Sequence, residues 1–417
     1  MSALPSLDPA GSFAARVAAA GGLHPLEVLE TLRAAAEEGC GQAATLYSEG
    51  LRLESGRLDQ GRNLALPHPL DAEWRFDDRT ADRLLASALD ATAAGDAILL
   101  LGVPTVALRA LGSACDRRFI VRSESNVIGS ALDARTADDP RFVSEAADGC
   151  ACAILDPPWY PAVSDMLTGM AAEACRFGAT ILVGTPPLGV RPGVAEERSR
   201  SVQAACLFGL RITAVKKNIL TYRTPAFELA AMRAGSMGNW LPDWRRGDIL
   251  VFEKDLPGAA PVLIPQTPAF ELTLEGVRLR LIAESVPFRE GLNPLVAGEV
   301  FPSVSMRAAG RKCANLWTSG NRAFACDPVP TLAAMQGLAA EFGLWPKGLN
   351  NSRITPQIRR EVASIQSVDD LTRIVSRDRA HMAELVGEAS WDRSVNDARF
   401  LNGSSGAFHQ ALRGVGA

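Results

Sequence analysis

Cys150-Ala151-Cys152-Ala153-Ile154-Leu155-Asp156-Pro157-Pro158-Trp159-Tyr160 is the stretch on which the reading of this chain turns. Its first six residues form an apolar run of buried-strand length, and the double proline stops that run because proline has no N–H to continue a ladder. The two prolines hold the next backbone extended. Asp156 and Trp159 are therefore expected at the carboxyl end of the strand, where ligands bind in open α/β sheets.

Further apolar runs stand on either side of it. Residues 97–103 read as a continuous strand of the kind a parallel sheet buries on both faces, and 119–121, 179–183, 211–215 and 248–252 read as further strands. Between 151–155 and 179–183, residues 163–177 have the spacing of an amphipathic helix. Such alternation predicts an α/β, doubly wound, Rossmann-like domain over residues 64–258. Residues 1–63 read as a helical unit: Leu26, Leu29 and Leu32 share a face, Gly39 stops the helix, and a second helix follows from about 41 to 54. A hairpin after those two helices would make the unit winged-helix-like, and a plain bundle is the simpler expectation. Asp78 is expected to cap a helix running to about 91. Beyond 258 the reading is α+β. A hairpin is expected over 271–282 with its turn at Glu275-Gly276, and another over 315–324 turning at Ser319-Gly320-Asn321. Helices follow from Pro328, with start signals at Thr355-Pro356 and Ser367. The hexapeptide Thr-Pro-Ala-Phe-Glu-Leu occurs at 224–229 and again at 267–272 in different surroundings, which makes it a coincidence rather than a repeat.

Composition narrows the function classes. The chain of 417 residues has a net charge of −4, whereas a protein that grips duplex nucleic acid unaided usually carries a basic excess. Eight cysteines lie scattered without CxxC spacing, and the four histidines are far apart, so neither a disulfide framework nor a metal site is expected. No apolar run reaches the length of a membrane span, and residues 1–10 lack the basic and apolar regions of a signal peptide; a cytoplasmic protein is expected. Arg191, Arg198, Arg200, Lys216, Lys217, Arg245 and Arg246 would make a phosphate-binding rim if they shared one face; scattered solvated charges are the simpler reading.

Asp156-Pro157-Pro158 followed by Trp159 resembles the catalytic motif of class I (Rossmann) S-adenosylmethionine-dependent amino-methyltransferases, which methylate the exocyclic amine of adenine or cytosine. An aromatic amine is a poor nucleophile because its lone pair is delocalised into the ring. The resemblance implies that Asp156 and the Pro157 carbonyl accept the two amino protons, while Trp159 or Tyr160 stacks on the flipped base. The closing strands at 211–215 and 248–252 resemble the antiparallel hairpin that ends this fold.

The same resemblance puts S-adenosyl-L-methionine where the first strand turns into its helix, at Gly102, Pro104 and Thr105. Glu124 would bind ribose hydroxyls, and Asp138 or Asp139 would lie near adenine. The family has several glycines in this loop; here only Gly102 remains and Pro104 stands where a permissive residue is expected. The motif follows the cofactor strand, as in the unpermuted members. An adenine-containing nucleic acid or nucleotide is the implied substrate; with this net charge, a nucleic acid would have to be met by a local basic patch or with the help of a protein partner. The layout is also similar to that of branched-chain polyamine synthases, although the aspartates these carry after the first strand are replaced by Val103-Pro104-Thr105. A third reading is a scaffold of this shape that no longer turns over.

Overall fold

In the computed structural model, residues 11–52, 64, 66–71, 74–123, 125–238, 241–264, 269–282, 291–341, 365–387 and 391 are described. They form two compact units. The first draws on residues within 1–56, 71–225 and 235–265, the second on residues within 57–70, 226–234 and 266–417.

The first unit is built on a six-stranded sheet. Its strands are β1 (Ala97–Leu101), β2 (Arg118–Arg122), β3 (Cys150–Leu155), β4 (Cys175–Thr185), β5 (Leu210–Thr221) and β6 (Arg246–Lys254), in the order β2-β1-β3-β4-β6-β5. β1 to β4 pair in parallel, and β6 inserts antiparallel between β4 and β5. The expected closing hairpin is thus present, with its two strands in swapped spatial order. Helices α4 (Asp78–Asp90), α5 (Pro104–Leu111) and α6 (Asn126–Thr136) pack together beside β1, β2 and β3, while α7 (Pro161–Ala174) and α8 (Val194–Leu207) pack beside β4 and β5. Alternate residues of the strands, among them Leu99, Ala153, Leu155, Ile181, Val183, Leu250 and Phe252, form one core with Leu167, Ala171 and Ala205 of α7 and α8. Every residue of β1 and of β3 is buried, as strands covered on both faces require.

Local chemistry explains most boundaries, and two corrections arise there. The cap of α4 is Asp77, which accepts a hydrogen bond from the Thr80 amide, so Asp78 is the first helical residue rather than the cap. The helix expected over 163–177 spans Pro161–Ala174, because β4 takes over at Cys175 with no intervening loop. Helices α1 (Phe13–Ala19), α2 (Pro25–Glu37) and α3 (Gly41–Leu51) pack on one another, with Gly50 leaving room for Phe13 and Leu29. The hairpin that would have made them winged-helix-like falls outside the described residues.

The second unit contains a five-stranded sheet ordered β7-β8-β10-β11-β9, all antiparallel, from β7 (Ala269–Leu274), β8 (Val277–Ile282), β9 (Asn293–Pro294), β10 (Leu316–Thr318) and β11 (Ala323–Ala325). The β7–β8 turn is Glu275-Gly276, both residues at positive φ, which is the geometry of a tight two-residue hairpin. Asn321, at φ 64°, turns β10 into β11. Buried in this unit, the Asp378 carboxylate accepts from the Gly320 amide and pairs with Arg322. Helices α9 (Ala226–Ala234), α10 (Pro328–Glu341) and α11 (Ile365–Val386) complete it. Because α11 already begins at Ile365, Ser367 lies inside the helix rather than capping it; Thr355-Pro356 lies outside the described residues.

Candidate active site

The carboxyl end of β3 is where chemistry concentrates. Register places Asp156, one residue beyond Leu155, beside Gly184 of β4, since Leu155 pairs with Val183. The carboxylate lies directly over Gly184, and any side chain at that position would collide with Asp156 Oδ1. On the other flank, Gly102 turns β1 into α5 with φ 67°, a left-handed conformation that glycine adopts without strain, and a Cβ there would sit 3.4 Å from the Asp156 carbonyl oxygen.

Asp156 is 6 % exposed. Burial pushes its carboxyl up to about 7, although the hydrogen bond from Tyr222 and the positive charge of Arg245 both oppose the rise. The Tyr222 hydroxyl donates to Asp156 Oδ1 at 2.8 Å. Burial, and next the negative charge of Asp156, hold the phenol well above its ordinary value, so it remains a donor. The Trp159 ring in turn meets Tyr222 edge-on, centroids 5.8 Å apart. An ordered line therefore runs Trp159, Tyr222, Asp156.

Tyr222 reaches this position through the backbone. β5 changes register twice against β6, between Ile212 and Ala214 and between Lys216 and Leu220. At the second irregularity Asn218 has φ 53° and its amide donates to Asp248 Oδ1 at 2.7 Å. Bulges re-aim the end of a strand, and here the strand end carries Tyr222. Beyond it, Phe76 bridges antiparallel to Tyr222, and Arg223 donates to the Arg75 carbonyl at 2.9 Å. On the opposite side the Tyr222 amide donates to the Arg245 carbonyl at 3.1 Å. This short ribbon places Trp74, Tyr222 and Arg245 together.

The result is an aromatic cluster with a cation in it. The Arg245 guanidinium carbon lies 3.9 Å from the ring centroid of Trp74 and 3.9 Å from that of Trp159, with Tyr222 at 5.6 Å. Trp74 and Trp159 each stand nearly perpendicular to Tyr222, and Trp244 meets Trp74 edge-on and carries His24 against it. The indole face expected to receive a base thus holds a guanidinium.

Beside Trp159 opens a cleft between α7 and α8, of about 510 Å³ with its solvent mouth included. Its hydroxyls come from Ser164, Thr168, Thr185 and Ser201, and its charges from Glu197 and Arg198. Thr185 and Pro186, at the end of β4, line it. Arg198 pairs with buried Asp248 at 2.7 Å and donates to the Pro186 carbonyl; Arg191 pairs with Glu197. With Arg191, Arg198 and Arg245 each so engaged, these three do not form the phosphate rim.

Of the residues expected at the site, Asp156, Trp159 and Gly102 come together. Pro157 is buried behind Asp156, and Tyr160 is the residue before α7, its carbonyl accepting from Ser164. Pro104 is the first residue of α5 and Thr105 is buried there. Asp139 is held by Arg141, which pairs with it at 2.6 Å, keeps its carboxyl below the usual range, and also binds three carbonyls of the 111–115 loop. That gives Asp139 a structural occupation. Glu124 lies outside the described residues. Trp74, Tyr222 and Arg245 complete the cluster, and only their convergence in space reveals it.

No protein-family model and no curated protein matches the chain. Among solved structures, the chain is similar to the branched-chain polyamine synthase of Thermus thermophilus, seen with N4-aminopropylspermidine and 5'-methylthioadenosine: 14 % identity over 58 % of this chain and 68 % of that one, TM-score 0.38. A protein of Pyrococcus horikoshii named as a candidate RNA methyltransferase is 16 % identical over 47 % of this chain and 95 % of its own, TM-score 0.36. A Haloferax volcanii complex of the Trm112 methyltransferase activator with its candidate methyltransferase is similar at 16 % identity, over 43 % of this chain and 90 % of that one, TM-score 0.31. Likenesses this remote do not bear on activity. Among the described residues no group of three or more His, Cys, Asp or Glu is placed to hold a metal ion, and no helix is long and apolar enough to cross a membrane.

Proposed function

We propose that this chain is an S-adenosylmethionine-dependent transferase acting on an amino nitrogen, with an exocyclic amine such as that of adenine as acceptor. The observation that carries this reading is the Asp156 carboxylate, buried at a strand end, hydrogen-bonded by Tyr222 and pushed up to about 7. A group that titrates near neutrality both accepts a proton and releases it, as general base catalysis requires. The amine would enter through the cleft beside Trp159, where hydroxyls of Ser164, Thr168, Thr185 and Ser201 are available to orient a polar substrate.

The residues at the end of β1 fit the cofactor at one point, the left-handed Gly102, whose missing side chain leaves the backbone approachable. Gly102, Pro104 and Thr105 would hold it. When bound, S-adenosylmethionine supplies an alkyl carbon activated by its sulfonium. The protein's part is to exclude water around Asp156, to hold its carboxylate through Tyr222, and to take a proton at Asp156 from the amine nitrogen.

One observation favours a second reading, aminopropyl transfer to a cationic amine: the indoles of Trp74 and Trp159 hold a positive group. Titration calorimetry with S-adenosylmethionine, S-adenosylhomocysteine and the decarboxylated cofactor separates the readings. Micromolar binding of the first two supports N-methyl transfer, binding of the decarboxylated form alone supports aminopropyl transfer, and no heat from any of the three overturns both.

A further inference from the structure

We infer that Trp74, Trp159 and Tyr222 form a binding site for the guanidinium group of a ligand, and that Arg245 occupies this site in cis. Three features of the cluster point to a ligand site rather than to ordinary packing. The guanidinium carbon lies 3.9 Å over each of two indole rings, the arrangement by which aromatic surfaces hold planar cations. The site stands next to the buried Asp156 carboxylate, which faces Arg245 electrostatically while its hydrogen bond comes from Tyr222. Finally, Trp74, Trp159 and Arg245 are all partly exposed, so solvent reaches the edge of the cluster.

The backbone at Arg245 is fixed independently of its side chain. Its carbonyl accepts from the Tyr222 amide, and the preceding turn is pinned by Thr224, whose amide donates to the Pro242 carbonyl at 2.6 Å and whose hydroxyl donates to the Leu241 carbonyl at 2.7 Å. Opening the site requires the side-chain contacts of Arg245 to break and the side chain to rotate away, with the backbone left in place. Arg245 then acts as a competitor tethered within the protein, and an external guanidinium binds in proportion to the fraction of molecules in which it has swung out. The recognised group is planar and delocalised, so a spherical ammonium fits less well between two faces.

This site lies beside the proposed proton acceptor, yet cation binding does not depend on transfer activity. Methylguanidinium is titrated into the wild-type chain, Arg245→Ala and the double variant Arg245→Ala/Trp74→Ala, with indole fluorescence and the thermal unfolding midpoint as readouts. Arg245→Ala is expected to bind at least about tenfold more tightly than wild type, and the double variant to lose that gain. Tetramethylammonium is expected to bind Arg245→Ala more weakly than methylguanidinium. Equal affinity of wild type and Arg245→Ala, an undiminished double variant, or equal binding of the two cations overturns the inference. Should Arg245→Ala fail to fold, Arg245→Gln, which keeps the aliphatic stem and loses the charge, takes its place under the same criteria. S-adenosylhomocysteine calorimetry on the same samples reports separately on the transferase reading, so failure of one is distinguishable from failure of the other.

Discussion

Two adjacent strands of the same sheet end in a double proline, and each end has a buried aspartate beside it. At the end of β3, Asp156 is followed by Pro157 and Pro158. At the end of β4, Thr185 precedes Pro186 and Pro187, and its partner in the ladder is Asp248 of β6. Asp248 has a hydrogen-bonded guanidinium, Arg198 at 2.7 Å, and also accepts the Asn218 amide. Asp156 accepts from a neutral phenol, and the positive charge that acts on it is that of Arg245 in the aromatic cluster. A buried carboxylate with an ion pair and a backbone donor is satisfied and inert. One given a single neutral donor stays close to protonation at neutral pH, and that difference separates a structural aspartate from one available for proton transfer.

The contrast can be broken by exchange of function. Asp156→Asn is expected to lower transfer by about 10²–10⁴-fold with little loss of stability, while Asp248→Asn leaves the chemistry to Asp156; steady-state rates with matched unfolding curves would reverse the assignment if Asp248→Asn were the inactive one. On stability the order inverts. Asp248→Ala leaves the largely covered Arg198 guanidinium without its carboxylate and is expected to cost about 3 kcal/mol by denaturant unfolding.

Asp156 also makes the stability of the fold depend on pH. Because the folded-state value of Asp156 lies above the unfolded one, the native state holds a proton that the unfolded chain has released. Stability therefore falls as pH rises from about 4 through about 7, by an amount on the order of 4 kcal/mol for a group this buried. The difference in unfolding free energy between wild type and Asp156→Asn should grow over that window and level off above it; a flat difference removes the buried-acid interpretation. In activity the same group gives an acid limb with its midpoint near 7. Tyr222→Phe is the smallest perturbation. It costs about 1 kcal/mol for the lost hydrogen bond and moves that limb upward, since the phenol opposes the rise in Asp156; a downward move would contradict the donor role.

Much of the sheet was legible because a buried parallel strand is a continuous apolar run and a chain-terminating proline pair is unambiguous. Each of the six strands of the first sheet overlaps a run expected from the sequence, although β5 is antiparallel and largely exposed, and the turns after β7 and β10 use Gly276 and Asn321, residues that tolerate positive φ. Asp156 and Trp159 were legible for the same reason, being tied to a strand end. Tyr222 and Trp74 were not, for their positions depend on two register shifts in β5 and on a bridge between Phe76 and Tyr222, far apart in sequence. Arg245 belonged in sequence to a scatter of basic residues, and nothing local distinguishes a solvated arginine from one held between indoles.

The repeated hexapeptide shows where that boundary lies. Ala-Phe-Glu-Leu is helical at 226–229, where it opens α9 and all four residues are buried, and extended at 269–272, where it forms β7 against β8. The next few residues choose between the two conformations. Ala230-Ala231-Met232 continues a helix, whereas Thr273-Leu274-Glu275-Gly276 alternates into a turn that returns the chain as a partner strand. Sequence by itself thus determined where the strands lie and which carboxylate follows one of them, because these depend on neighbours within a few residues. The charge state of that carboxylate and the cation seated over its indole were decided only in three dimensions, since desolvation and ring contact are properties of atoms brought together from distant parts of the chain.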